Sequence, residues 1–196
     1  MAYLSEHCIF APVTEKLIAS LKGFECAAEP DIAAFFREEA VLNAEQRLSK
    51  SYCFYHKDTR EIVCAFCVSN SNISTRTMPD DIKSDFVAEI PDEKRRSFYP
   101  ATLIGQLVVF DRFRNEHIGG EFMDLIKVWI TTQASQIGFR FLVVDAVNHG
   151  KVIQYYRDNG FETLFADEKT EKEYRRIYGK SPLRTRFMTY DLTLIK

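Results

Sequence analysis

The chain has 196 residues, room for one α/β domain and short for two compact ones. Apolar residues make up 46%, with 16 Phe and 9 Tyr, which argues against a disordered chain; 8 Gly and 6 Pro argue against collagen-like or low-complexity sequence. The 28 acidic and 26 basic residues leave a net charge of −2, which speaks against a dedicated nucleic-acid coat while allowing a local basic patch.

The segment Met1 to Lys16 contains Glu6 and Glu15 and no long apolar run, so it does not read as a secretory signal. No stretch approaches the ~18 apolar residues of a membrane-spanning helix. Five cysteines, an odd number, fit a reducing cytoplasm better than a disulfide framework. The expectation is a cytoplasmic chain with no membrane partner. Pro12 to Lys22 reads as a short helix. Phe24-Glu25-Cys26 leads to a second helix that starts at Pro30 or Asp31 and runs to about Asn43, with Ile32, Phe35, Phe36, Ala40 and Val41 on one side. Ser51 to His56, the turn Lys57-Asp58-Thr59-Arg60 and Glu61 to Ser69 form an antiparallel hairpin. Cys64 and Cys67 make a C-x-x-C within that strand. Residues three apart on a strand point to opposite faces, so a shared metal or disulfide is poorly placed and both read as buried apolar residues. No metal is expected.

From Asn70 to Pro100 the pattern weakens, with Pro79, Pro91 and Pro100 among six acidic residues, and the sequence reads as a long solvated connection holding a short helix at Asp80 to Phe86. A substrate-facing lid or partner site is the alternative. The branched run Ala101 to Phe110 is a strand, Asp111 to Arg114 a turn, and Asn115 to about Ser135 a long helix, with Gly138 as its C-terminal cap. Phe139 to Val147 is a second buried strand, Lys151 to Asn159 a short helix ended by Gly160, and Phe161 to Phe165 a strand. A polar helical stretch follows at Asp167 to Tyr178, then a final strand at Leu183 to Ile195. The order implies an α/β fold with a mixed sheet and a long crossover helix after the central strand. The final strand is placed where it could pair across a homodimer.

The chemistry-bearing stretch is Leu107-Val108-Val109-Phe110-Asp111-Arg112-Phe113-Arg114-Asn115-Glu116-His117-Ile118-Gly119-Gly120. A strand ends, the chain turns, and a helix opens at two adjacent glycines. Helix N-termini carry backbone N–H groups and partial positive charge, and glycine lets an anion approach them. A pyrophosphate is the natural ligand. G-x-G-x-x-G is absent, and no Gly-Lys-Ser/Thr follows, so neither a dinucleotide fingerprint nor a P-loop is present.

This stretch resembles the GNAT superfamily of acetyl-CoA-dependent N-acetyltransferases, whose signature is a strand, then Arg/Gln-x-x-Gly-x-Gly/Ala, then a long helix. Arg114-Asn115-Glu116-His117-Ile118-Gly119 fills those slots, with His117 in place of the first glycine. Tyr155-Tyr156-Arg157-Asp158-Asn159-Gly160-Phe161 is similar to the family's F-Y-x-x-x-G-F element. The resemblance implies a single GNAT-like domain over residues 1–196, with core motifs at about 101–165 and a mostly antiparallel sheet. It implies acetyl-CoA as co-substrate, its diphosphate on Arg114, Asn115, Glu116, His117, Ile118, Gly119 and Gly120, and its pantetheine along the main chain of Leu107, Val108 and Val109. It makes Tyr156 the general acid for the leaving thiolate; the other reading of Tyr156 is a packed aromatic with a satisfied hydroxyl. Glu89, Glu93 and His149 are candidate bases, each also readable as a surface residue, and Asn148 lies near a position where the family contacts the cofactor.

The implied reaction is direct transfer of an acetyl group to a primary amine of a small molecule, peptide or protein. A looser likeness, carried by Phe24-Glu25-Cys26, Phe35-Phe36-Arg37, Pro79 and Ile82, is to toxin-type acetyltransferases, which would bring an aminoacyl-tRNA acceptor and an antitoxin partner. Those relatives are usually basic, whereas this chain is net acidic, and residues 70–100 and 166–183 are longer than their pattern. A non-catalytic acyl-CoA-binding domain is the reading from another class. Two basic clusters, Lys94-Arg95-Arg96 and Arg175, Arg176, Lys180, Arg184 and Arg186, are candidates for tRNA or for the adenosine phosphate of coenzyme A, against solvated surface charge.

Overall fold

The structure is a computed structural model that describes residues 2–114 and 116–195. In chain order the elements are α1 (Tyr3–His7), β1 (Cys8–Pro12), α2 (Glu15–Ser20), α3 (Pro30–Ala34), a π-helical turn (Phe35–Glu39), α4 (Ala40–Glu45), β2 (Lys50–His56), β3 (Ile62–Ser74) and α5 (Asp80–Val87). They continue with β4 (Phe98–Val109), α6 (Gly119–Ile137), β5 (Phe141–Val147), α7 (Gly150–Asp158), β6 (Glu162–Thr163), α8 (Glu168–Arg175) and β7 (Thr185–Asp191). Among the described residues seven strands form one sheet in the order β1-β2-β3-β4-β5-β7-β6. The ladders β1–β2, β2–β3, β5–β7 and β6–β7 are antiparallel and β4–β5 is parallel, so the sheet is mixed and mostly antiparallel, as expected. No helix among the described residues is long and apolar enough to cross a membrane. The chain divides into two compact units, Met1–Ser69 with Ile104–Ile130, and Asn70–Leu103 with Thr131–Lys196.

The first unit is built on β1, β2 and β3, where side chains alternate between two covered faces. On one face Phe10, Tyr52, Phe54 and Phe66 meet Phe122 and Trp129 of α6, with ring centroids 4.4 Å apart for Tyr52 and Trp129 and 5.9 Å for Phe66 and Phe122. On the other, Cys53, Tyr55, Ala65 and Cys67 pack with Ala33, Phe36 and Ala40 of the helical run 30–45. Cys64 sits opposite Phe54 and so shares the α6 face, whereas Cys67 shares the other, and all five cysteines are free thiols. The first helix is shorter than expected, Glu15–Ser20, with Thr14 accepting from the Leu17 N–H at 3.2 Å, because residues 8–12 are claimed by β2 as strand β1. The long helix starts at Gly119 rather than Asn115 and ends where expected, at Gly138, whose φ of 87° is left-handed and whose N–H donates to Ala134 O at 2.8 Å.

In the second unit β5 is central. It pairs parallel with β4 at Ala101, Thr102 and Leu103, and antiparallel with β7 along its whole length, from Phe141 opposite Asp191 to Val147 opposite Thr185. The stretch from Asn70 to Pro100 is not the solvated connection its prolines and acids suggest: β3 runs on to Ser74, and Met78, Val87 and Ile90 join Ile73, Tyr99, Phe141 and Phe165 in the core. The final strand stops at Asp191, where the carboxylate takes Arg140 at 2.6 Å and caps a 3-10 turn through the Thr193 N–H. It lies between β5 and the two-residue β6, which pairs with it at Met188 and Thr189. Helix α8 opens on Asp167, which accepts from the Thr170 N–H at 2.9 Å, and it buries Glu171 completely. Arg186 Nε donates to that carboxylate at 2.7 Å, the Phe187 N–H at 2.6 Å and Arg175 Nη1 at 3.2 Å.

Breaking a buried ion pair by removing one partner strands the other charge, at a cost of about 3–5 kcal/mol. Glu171→Ala is therefore expected to lower the urea midpoint by that free energy with the slope unchanged.

Candidate functional site

The turn after β4 is held from outside and from within. Phe110 is fully buried and its N–H donates to Val63 O at 3.0 Å. The Asp111 N–H donates to Glu25 O at 3.0 Å, and its carboxylate takes the Ala27 N–H at 2.7 Å. A 3-10 turn, Asp111–Phe113, follows, and the Glu116 N–H donates to Phe113 O at 3.2 Å. The Arg114 guanidinium folds back onto this scaffold: 3.2 Å from Asp111, 3.3 Å from Val109 O and 3.1 Å from Cys26 Sγ. Asn115 lies outside the described residues.

His117 has φ of 52°, in the left-handed region that glycine enters without steric cost and other L-residues enter at roughly 1–2 kcal/mol. Its side chain is exposed, and so is Glu116. Ile118 is buried and its carbonyl accepts from the Phe122 N–H at 2.8 Å. Gly119 opens α6, and a Cβ built on Gly120 would meet nothing within 4 Å. The positive end of this 19-residue helix has open space beside Gly120, and its first turn also carries Glu121, whose carboxylate accepts from the Ser5 N–H at 3.1 Å.

Along β4, Val108 is buried in the core, while Leu107 and Val109 are half-buried. Sequence reasoning missed what shapes this strand. A Cβ on Gly105 would stand 2.8 Å from Cys67 Sγ, and the Gln106 N–H donates to that sulfur at 3.1 Å. A glycine inside a strand signals such a close approach.

Tyr156 sits on α7 and is only 7% exposed, edge-on to Phe161 at 5.5 Å and to Tyr155 at 5.3 Å. Among the described residues its hydroxyl makes no hydrogen bond. Burial pushes its pKa up to about 12, and the phenol keeps its proton throughout the neutral range. Gly160, left-handed at φ of 80°, ends the element, with the Tyr190 ring 3.0 Å from where a Cβ would stand.

Asn148 has both amide N–H groups committed within the protein. Its amide donates to Glu168 Oε1 at 2.8 Å and to Leu183 O at 2.9 Å. Glu89, Glu93 and His149 are exposed, and His149 is the N-cap residue of α7. The basic clusters divide. Arg95 pairs with Asp92 at 2.7 Å, and Arg175 and Arg186 face the buried Glu171, leaving Lys94, Arg96, Arg176, Lys180 and Arg184 exposed.

The fold resembles GNAT-like acetyltransferase folds. A crystal structure of a tyrosine-to-phenylalanine mutant of KacT superposes with a TM-score of 0.73 at 16% identity, covering 97% of this chain and 98% of that one. AtaT complexed with acetyl-methionyl-tRNAfMet gives 0.70 at 15% identity over 96% of both chains. AtaTR bound with AcCoA gives 0.69 at 13% identity over 97% of this chain and 96% of that one. No protein-family model and no curated protein matches the sequence.

Because the folded state holds the Tyr156 proton more tightly than the unfolded chain does, that stabilisation is complete below pH 10 and is lost as pH rises to about 12. Ultraviolet titration of phenolate absorbance is expected to show a phase near pH 12 that Tyr156→Phe removes.

Proposed function

We propose that this protein is an acetyl-CoA-dependent N-acetyltransferase whose acceptor is the amino group of an aminoacyl-tRNA. The observation that carries the reading is the extent of the likeness. The superposition on AtaT with acetyl-methionyl-tRNAfMet covers 96% of each chain, so it takes in the early helices and the 70–100 stretch as well as the common core. The structure of AtaTR with AcCoA supports the choice of co-substrate in the same way. Acetyl transfer to the amine of a small molecule, peptide or protein is the same chemistry on a different acceptor. By the same likeness an antitoxin protein is the expected partner.

In this reading the diphosphate of acetyl-CoA lies on the turn from Arg114 to Gly120, with Asn115, Glu116, His117, Ile118 and Gly119 contributing backbone or side chain. The left-handed backbone at His117 and the open space beside Gly120 support it. The pantetheine runs along the main chain of Leu107, Val108 and Val109. The neutral amine attacks the thioester carbonyl, a C–N bond forms, and the C–S bond breaks as the tetrahedral intermediate collapses. The amine proton passes to solvent or a base. Tyr156 gives its phenolic proton to the departing thiolate and regains one from solvent, a role supported by a phenol that keeps its proton throughout the neutral range.

The test is incubation of the purified protein with acetyl-CoA and charged tRNA, reading N-acetylated aminoacyl-adenosine by mass spectrometry after nuclease digestion, beside a panel of polyamines and peptides. Product on the panel but not on charged tRNA would overturn the acceptor and leave the transfer standing. Tyr156→Phe is expected to lower kcat about a hundredfold, within the range for general acid catalysis, with acetyl-CoA affinity by calorimetry unchanged. Gly120→Glu places a carboxylate in space that is open, so the fold is expected to survive while acetyl-CoA affinity drops about tenfold or more.

A further inference from the structure

The segment between α8 and β7 reads Arg176-Ile177-Tyr178-Gly179-Lys180-Ser181-Pro182-Leu183-Arg184, with cations at Arg176, Lys180 and Arg184 and no carboxylate. Its flanking arginines are committed inward. Arg175 takes Asp145 at 2.8 Å and Glu171 at 3.2 Å, and Arg186 takes Glu171 at 2.7 Å. Arg176, Lys180 and Arg184 are exposed and form no ion pair among the described residues. Tyr178 stands between them with 92% of its surface exposed, although a tyrosine ring ordinarily buries most of its area.

The segment is anchored at both ends. The Ile177 N–H donates to Lys172 O at 2.9 Å, and Lys172 Nζ donates to Ser181 O at 2.6 Å. Leu183 is buried, its N–H donating to Glu168 Oε2 at 2.7 Å and its carbonyl accepting from Asn148. Left-handed backbone at Arg176, φ 56°, and Gly179, φ 121°, turns the chain on either side of the ring. The Asn148 N–H donates to Arg184 O at 2.9 Å, which fixes the segment at the C-terminal end of β5, where α7 and Tyr156 follow in the chain.

We infer that this segment is an RNA contact, in which Tyr178 stacks on an unpaired base and Arg176, Lys180 and Arg184 take the flanking phosphates. Cations that track a backbone around an aromatic ring with open faces are the two ingredients of single-strand recognition. A protein-docking tyrosine would sit in a patch core depleted of charged residues; within this segment three cations, all of one sign, flank the ring, with Ile177 the other exposed large apolar side chain. The identity of the RNA rests on the aminoacyl-tRNA reading above: the unpaired 3′ end is the part of a charged tRNA that must reach the acetyl donor. The adenine and phosphates of coenzyme A share this chemistry, and the test separates them.

The experiment is an anisotropy titration of the full chain with fluorescent deacylated tRNA, intact or trimmed of its unpaired 3′ tail. Tyr178→Ala is expected to weaken binding of intact tRNA about tenfold and of trimmed tRNA far less, and Tyr178→Phe to bind as the wild type does. Arg176→Gln and Lys180→Gln are each expected to reduce the slope of log affinity against log salt by about one. Wild-type binding of intact tRNA by Tyr178→Ala overturns the inference. So does a loss of acetyl-CoA affinity in that variant by calorimetry, which would assign the ring to the coenzyme, or the absence of tRNA binding by the wild type. Tail-dependent binding through Tyr178 without acetylation of charged tRNA would sustain the contact and remove the catalytic reading. Unaltered kcat/KM on charged tRNA in Tyr178→Ala would do the reverse.

Discussion

A carboxylate with no exposed surface holds the second unit in order. Burying an ion costs several kcal/mol unless donors surround it, and Glu171 is surrounded by Arg175, Arg186 and the Phe187 N–H. The same two arginines reach further: Arg175 to Asp145 on β5, and Arg186 to Phe165 O at 2.7 Å. One acid therefore ties α8, β5, β7 and the turn after β6. With its neighbours turned inward, the basic segment at 176–184 starts and finishes on fixed points, and its own cations are left at the surface.

Elements with long apolar periodicity were legible in the sequence. The hairpin of β2 and β3, the helix α6, the strand β5 and the helix α7 all carry it, and Gly138 and Gly160 mark helix ends with left-handed backbone. β1 was not legible. Cys8-Ile9-Phe10-Ala11-Pro12 is short, and it is a strand because β2 offers it a ladder. The stretch from 70 to 100 was misread because acids and prolines are dense there, although Met78, Ile82, Phe86, Val87 and Ile90 follow a spacing that reaches the core. β7 ends early because Arg140 and Thr193 both claim Asp191, a tertiary event that no local pattern announces.

The candidate site divides in the same way. The turn and the tyrosine were visible as motifs, since both need particular residue types at fixed spacing. His117 stood out in that turn, and its backbone is left-handed. What stayed hidden depends on partners far along the chain: Asn148 committed to Leu183 and Glu168, Gly105 pressed on Cys67, and a run of arginines divided between a buried acid and solvent. Residue type says what a side chain can do, and distant neighbours decide whether it is available.

The five cysteines carry a practical corollary. A sulfur reacts with disulfide reagents as its anion, and burial pushes Cys8 to about 11 and Cys53 to about 12 while also raising Cys64 and Cys67. Cys26, the remaining one, is 4% exposed. Burial therefore slows the reaction of Cys8, Cys53, Cys64 and Cys67 with Ellman-type reagents in the folded state at neutral pH. Rapid colour in such an assay then reports thiol set free in solution over a slow protein background, which a control without co-substrate subtracts.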